Sequence, residues 1–172
     1  LKSAFQDFNV IAEDLGDVTD DVIHFRDKYN FPGMSVLQFE MNDIRKESNF
    51  PENSVVCTGT HDNDTLLGWF NSLPDNSINK EVLTKSKLLE LFNCSNKEIH
   101  WEIINYALKT SSDTAIIPIQ DILEKGSSSR FNIPGTLSIN NWSWRMKEGD
   151  LTESLKAKLL ELVKNNKRND YI

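Results

Sequence analysis

The sequence of 172 residues has only two cysteines, Cys57 and Cys94, set far apart in unlike contexts. They offer neither a metal-ligand spacing nor a disulfide framework, and they read as free thiols of a reducing compartment. Positive charge is also scarce: 19 Lys and Arg stand against 26 Asp and Glu, a formal net charge of −7. That balance argues against a phosphate-backbone binder, which needs a Lys/Arg surplus to release counterions, and it fits a neutral polar substrate better. No apolar run approaches the ~20 residues that span a bilayer, and the N-terminus lacks the order of charge, apolar core and small residues of a signal peptide. A protein without membrane or nucleic-acid partners, located in the cytoplasm, is the expectation. Internal repeats and low-complexity tracts are absent as well. The chain begins with Leu1 rather than Met, so a piece of something longer is expected.

What the sequence does hold is alternation. A short apolar run in "FNVIAEDLG" ends at Glu13 and reads as a strand. Thr19 can cap a helix whose Val22, Phe25 and Tyr29 recur at helical spacing and should form a buried stripe. "FPGMSVLQFE" predicts a strand over residues 34–39, "SVVCTGT" a third, and "TAIIPIQD" a fourth, buried one. Between the last two, periodicity predicts helices over residues 65–73, 79–92 and 97–109. A Gly/Ser/Asn/Pro loop follows over residues 126–141. A final helix should start at a capping box of Asp150 and Glu153 and bury Leu151, Leu155, Leu159 and Leu162. Strands alternating with helices argue for a parallel sheet with helical crossovers.

Polar residues gather where these strands end: Glu13 and Asp14, Gln38, His61 and Asp62, Gln120 and Asp121. In a (β/α) barrel that end is where catalytic groups converge. Glu13, Asp62 and Asp64 supply the carboxylates that glycoside chemistry needs, one to protonate a leaving oxygen and others to support an oxocarbenium-like centre. Asp64 also reads as an N-cap for the helix after it. A metal site built from His61, Asp62, Asp64 and Glu13 is the weaker reading, because "HDND" lacks the i, i+4 ligand pair of the common zinc motif. Trp69, Trp142, Trp144 and Phe39 could stack on sugar rings, although Trp69 sits among apolar neighbours and reads as core. His24 and His100 fall within helices and read as structural.

"IAEDLG", "FPGMSVLQF", "VVCTGTHDNDTLLGW" and "IIPIQD", followed by "FNIPGT" and "NNWSWR", in this order closely resemble the amylomaltase or disproportionating-enzyme family, the 4-α-glucanotransferases. The resemblance implies a (β/α)8 barrel that cuts an α-1,4-glucan and passes the glycosyl piece to a glucan or glucose, with retention and without a cofactor. By motif, Glu13 falls on the family's general acid/base, Asp62 on its transition-state-stabilising carboxylate, and His61 on a residue holding the sugar at the cleavage point. Asp14, Phe39 and Asn132 match positions near the sugar subsites. The family's nucleophilic Asp belongs to an "R-I-D-H" type segment that does not occur here. Residues 1–172 are therefore expected to be the C-terminal part of the barrel, with about four parallel strands and no metal, inactive alone. The alternatives are a glucan-binding or assembly module, self-associating through exposed strand edges, and a metal-dependent hydrolase.

Overall fold

The computed structural model describes residues 10–42 and 50–168. The start of the expected first strand, residues 8–9, and residues 43–49 of the loop before "SVVC" lie outside the described residues.

Among those residues the sheet is parallel and three-stranded, in the order β1 (Gly33–Val36), β2 (Ser54–Cys57), β3 (Thr114–Ile116). Gly33 pairs with Ser54 and Val36 with Cys57; on the other side Val55 pairs with Thr114 and Cys57 with Ile116. β2 is buried at all four positions because it is flanked on both edges. Over residues 10–13, the described part of the expected first strand, no strand is formed. They run irregularly beside β1, joined by the bond from Ala12 N to Pro32 O at 2.8 Å, so the described residues hold three of the four expected strands. The strand predicted over residues 34–39 stops at Val36, and α2 (Leu37–Glu40) follows, burying Leu37 and Gln38. The fourth predicted strand is short and not buried: Thr114 and Ile116 are exposed. Pro118 has no N–H to continue the ladder and instead caps α6 (Ile119–Ile122).

α3 (Leu66–Ser72), α4 (Lys85–Phe92) and α5 (Ile99–Lys109) form the crossover that carries the chain from β2 back to a parallel β3. α4 is shorter than its periodicity suggests. Thr84 caps it by accepting from Lys87 N at 3.2 Å, while Asn79 Oδ1 accepts from Glu81 N at 2.9 Å and holds the preceding residues in a turn. α5 is the helix at the centre of the core. Its Ile99, Ile103, Ile104 and Ala107 are fully buried against Leu37, Val56, Leu66 and Leu88. Arg168 reaches back to the end of α5 and donates to the carbonyls of Leu108, Thr110 and Ser112 at 2.6 to 2.8 Å, satisfying acceptors that a helix end leaves open.

Two helices differ from expectation. In α1 (Asp20–Lys28) no residue is buried, and Val22 and Phe25 of the predicted stripe are about half exposed. Spacing makes a stripe, but only a neighbouring element buries it, and none of the described residues covers this one. α7 (Glu153–Asn165) does pack Leu155, Leu159 and Leu162 on the core, yet its cap is Thr152, which accepts from Leu155 N at 3.2 Å. Asp150 instead accepts from Lys147 N at 2.8 Å. No helix among the described residues is long and apolar enough to cross a membrane.

His100 on α5 is 3% exposed. Its Nε2 lies 3.3 Å from Glu124 Oε1, but neither ring nitrogen makes a well-directed hydrogen bond. Burial outweighs the attraction of the Glu124 carboxylate and pushes the imidazole below its usual range. The unfolded chain then takes up a proton at a pH where the folded one does not, so stability is full above the unfolded pKa and is lost as pH falls toward the folded pKa. Urea unfolding between about pH 7.5 and about pH 5.5 should show this loss, and His100→Leu should flatten it. An equal slope in the variant would refute the assignment.

Candidate functional site

Side chains at the C-terminal ends of the strands surround a cavity of about 490 Å³. Glu13, Cys57, His61, Asp64, Gln120 and Arg130 are among its lining. The Glu13 carboxylate lies close enough to the Cys57 thiol to act on it. Burial first, and the Glu13 charge second, push that thiol up to about 11, so Cys57 is an inert wall rather than a nucleophile.

His61 lines the cavity and Asp62 stands beside it, each side chain 46% exposed, with His61 Nε2 3.4 Å from Asp62 Oδ1; Asp62 itself is not part of the lining. Asn132 Nδ2 donates to that Oδ1 at 2.6 Å. Arg130 completes a ring by donating from Nη2 to the Asp62 carbonyl at 2.7 Å and from Nε to the Asn132 carbonyl at 2.8 Å. The loop after β2 and the loop after α6 are thereby tied through the carboxylate and the carbonyl of Asp62. Asn132 meets Asp62 directly, an orienting contact that the sequence did not reveal.

The remaining candidates are engaged differently. Asp14 is paired with Arg26 and accepts from Met34 N at 2.7 Å, which fastens the N-terminal segment to α1 and β1. Its side chain is 8% exposed. Phe39 is in α2, at 60% exposure and outside the cavity lining. Asp64 accepts from Ser127 Oγ at 2.7 Å and from Thr65 N at 2.7 Å. The cap of α3 is Thr65, accepting from Gly68 N at 3.1 Å, rather than Asp64. Asp64 and Ser127 crowd Gly68 so closely that a Cβ there would overlap both. Among the described residues no group of three or more His, Cys, Asp or Glu side chains is placed to hold a metal ion.

Two strand-end polar residues, Gln38 and Asp121, turn out to be buried supports, a role that the sequence did not reveal. Gln38 Nε2 donates to the carbonyls of Thr58 at 3.2 Å and Asp64 at 2.9 Å. A Cβ at Gly59 would come within 2.8 Å of that nitrogen. Asp121, 2% exposed, accepts from Thr58 Oγ1 at 2.6 Å and from Leu66 N at 2.7 Å. Burial raises its pKa, and the two donors act against that rise. Asp121 was visible as a strand-end carboxylate; its partners, 63 and 55 residues away, were not.

Residues 1–152 match the family model described as 4-alpha-glucanotransferase. The chain is 42% identical over 159 residues to the chloroplastic/amyloplastic 4-alpha-glucanotransferase of Solanum tuberosum, covering 90% of this chain and 26% of that protein. It is 38% identical to the 4-alpha-glucanotransferase of Streptococcus pneumoniae, covering 95% of this chain and 32% of that one. Among solved structures, the amylomaltase from Streptococcus agalactiae in complex with acarbose is similar at a TM-score of 0.83 and 32% identity, over 96% of this chain and 33% of that one. The chain thus spans 26% to 33% of the length of these relatives.

Replacing Asp121 by Ala leaves the Thr58 hydroxyl and the Leu66 amide buried without an acceptor, which should cost about 2–4 kcal/mol. Asp121→Asn, which can still accept from Leu66 N and donate to Thr58 Oγ1, should cost much less. Urea denaturation of the two variants checks this, and equal losses would show that the bonds themselves do not matter.

Proposed function

The chain belongs to the 4-alpha-glucanotransferase family, and from that premise we propose that it carries the acid/base and stabilising carboxylate of a retaining α-1,4-glucan transfer. It would do so as the C-terminal part of a (β/α)8 barrel of the cytoplasm, with the nucleophile supplied from elsewhere. The observation that carries the reading is the ring of Arg130, Asn132 and Asp62 with His61 beside it, two of whose members, Arg130 and His61, line the same cavity as Glu13.

In this reading Glu13 gives its proton to the glycosidic oxygen as the bond breaks. It later takes one from the acceptor hydroxyl that attacks the glycosyl intermediate. Asp62 has its charge aimed by Asn132 before substrate arrives, so it opposes positive charge building at the anomeric carbon at little reorganisation cost. His61 donates to a sugar hydroxyl at the cleavage point, and Asn132 contributes through Asp62 as well as through any contact with sugar. Asp14 supports the acid/base by anchoring the segment that bears it, and Phe39 serves an outer part of the glucan chain.

The test is a hybrid in which residues 1–152 replace the matching segment of the Streptococcus pneumoniae relative. It should transfer glucan units from maltotriose, whereas the 172-residue chain alone should not. In the hybrid, Glu13→Gln should lose that transfer by about 10²–10⁴-fold, the usual worth of general acid catalysis. An α-maltosyl fluoride, whose leaving group needs little protonation, should recover much of the first step. Equal losses with both substrates would remove Glu13 from the acid role.

A second reading is favoured by the apolar residues Val10, Ile11, Val22 and Phe25, which are 40% to 49% exposed. Exposed apolar surface of this kind suits association with another copy or a complementary segment. Sedimentation velocity should then show a concentration-dependent dimer, weakened by Phe25→Lys. A monomer at all concentrations would exclude self-association.

A further inference from the structure

Trp142 is the bulky residue whose placement neither the core nor the catalytic ring explains. Its backbone has φ of 63°, a left-handed conformation that a large side chain rarely adopts and that persists only where the surroundings enforce it. Both of its backbone polar groups are engaged. Trp142 N donates to Phe131 O at 2.7 Å, and Arg145 Nη1 donates to Trp142 O at 3.0 Å. The indole packs edge-on against Phe131, with centroids 5.0 Å apart at 85°, and lies 5.1 Å from the His61 ring at a tilt of 36°. Yet the residue is 53% exposed, so the strained backbone does not serve to bury it.

The two rings that hold Trp142, His61 and Phe131, both line the cavity. The indole is not itself part of the lining but packs on both of these rings from outside it. We infer that Trp142 is a stacking platform for a glucose ring of an α-glucan, just outside the position where His61 meets the sugar. This rests on the glucan reading of the cavity proposed above.

The chemistry matches an uncharged sugar. One face of a pyranose carries C–H bonds with partial positive charge, which suit the negative face of an indole, and the stack removes apolar area from water at both partners. Phe131 and His61 fix the plane of the platform in advance, so little side-chain entropy is lost when a ring settles on it. Carrying the platform on the loop of residues 131–146 sets it beside the Asp62 ring, because Asn132 on the same loop is bonded to Asp62.

The test uses the 172-residue chain with maltoheptaose, followed by NMR of the four indole N–H signals and of the His61 ring. The Trp142 indole and His61 should shift together on titration. The indole of Trp101, which is 5% exposed and donates to Glu124, should stay in place as a reference for the fold. Trp142→Ala should weaken binding about three- to tenfold, and Trp142→Phe, which keeps an aromatic face, should restore most of it. If maltoheptaose shifts His61 but not Trp142, or binds the Ala variant equally well, the platform is wrong and the glucan site stands. If neither ring responds, both fail. A Trp142 signal that moves with protein concentration alone, and not with glucan, would assign the indole to self-association and overturn the inference.

Discussion

A single buried carboxylate holds the segments that follow β2 and β3 together. Asp121, at the start of α6, accepts from Thr58 just past β2 and from Leu66 at the start of α3. Every residue of the "HDND" cluster lies between those two donors in the chain. The loop that presents His61 and Asp62 is thus a closed span, fixed at both ends by one side chain from the segment after the neighbouring strand β3. Burying a carboxylate is costly, and the two short hydrogen bonds offset that cost. Asp64 lies near enough for its like charge to raise the Asp121 pKa further. Its contribution to stability is therefore greatest in acid and lessens as pH rises through the raised pKa, opposite in sign to that of His100.

Above this support, the site is assembled from contacts between two loops. Ser127 takes up Asp64, Asn132 takes up Asp62, and Arg130 closes the ring through two carbonyls. A set of neighbouring carboxylates is thereby sorted into separate tasks. Asp64 and Asp121 each have one oxygen on a backbone N–H and the other on a hydroxyl, whereas Asp62 keeps a half-exposed side chain beside His61. Glycines at 59 and 68 permit this because the support groups approach their backbone closer than a Cβ would allow.

The same logic separates well-packed helices from loosely held ones. α5 buries seven of its eleven residues beneath the sheet, while α1, with a comparable apolar spacing, buries none. α1 is held through Arg26, which pairs with Asp14, and not through its Val22 and Phe25. Periodicity describes what a helix offers, and packing depends on whether another element accepts it.

The sequence by itself determined the chemistry available and the local elements. The apolar run of β2, the periodic helices α3, α5 and α7, the parallel arrangement and the crowding of acids and His61 at strand ends were all legible, because each depends on residues within a few positions of one another. Helix starts were legible only approximately: Thr65 and Thr152 took the caps that Asp64 and Asp150 also fitted, since the choice turns on which oxygen reaches the N-terminal amides. Tertiary structure decided which acids remain free. Asp14 was claimed by Arg26, Asp64 by Ser127 and Asp62 by Asn132, across 12, 63 and 70 residues. Residues 10–13 make one backbone bond to the segment before β1, from Ala12, without forming a strand, and the last strand stays short because it stops before Pro118. Such pairings arise from strand register and loop closure, which bring distant donors and acceptors together only after the sheet exists.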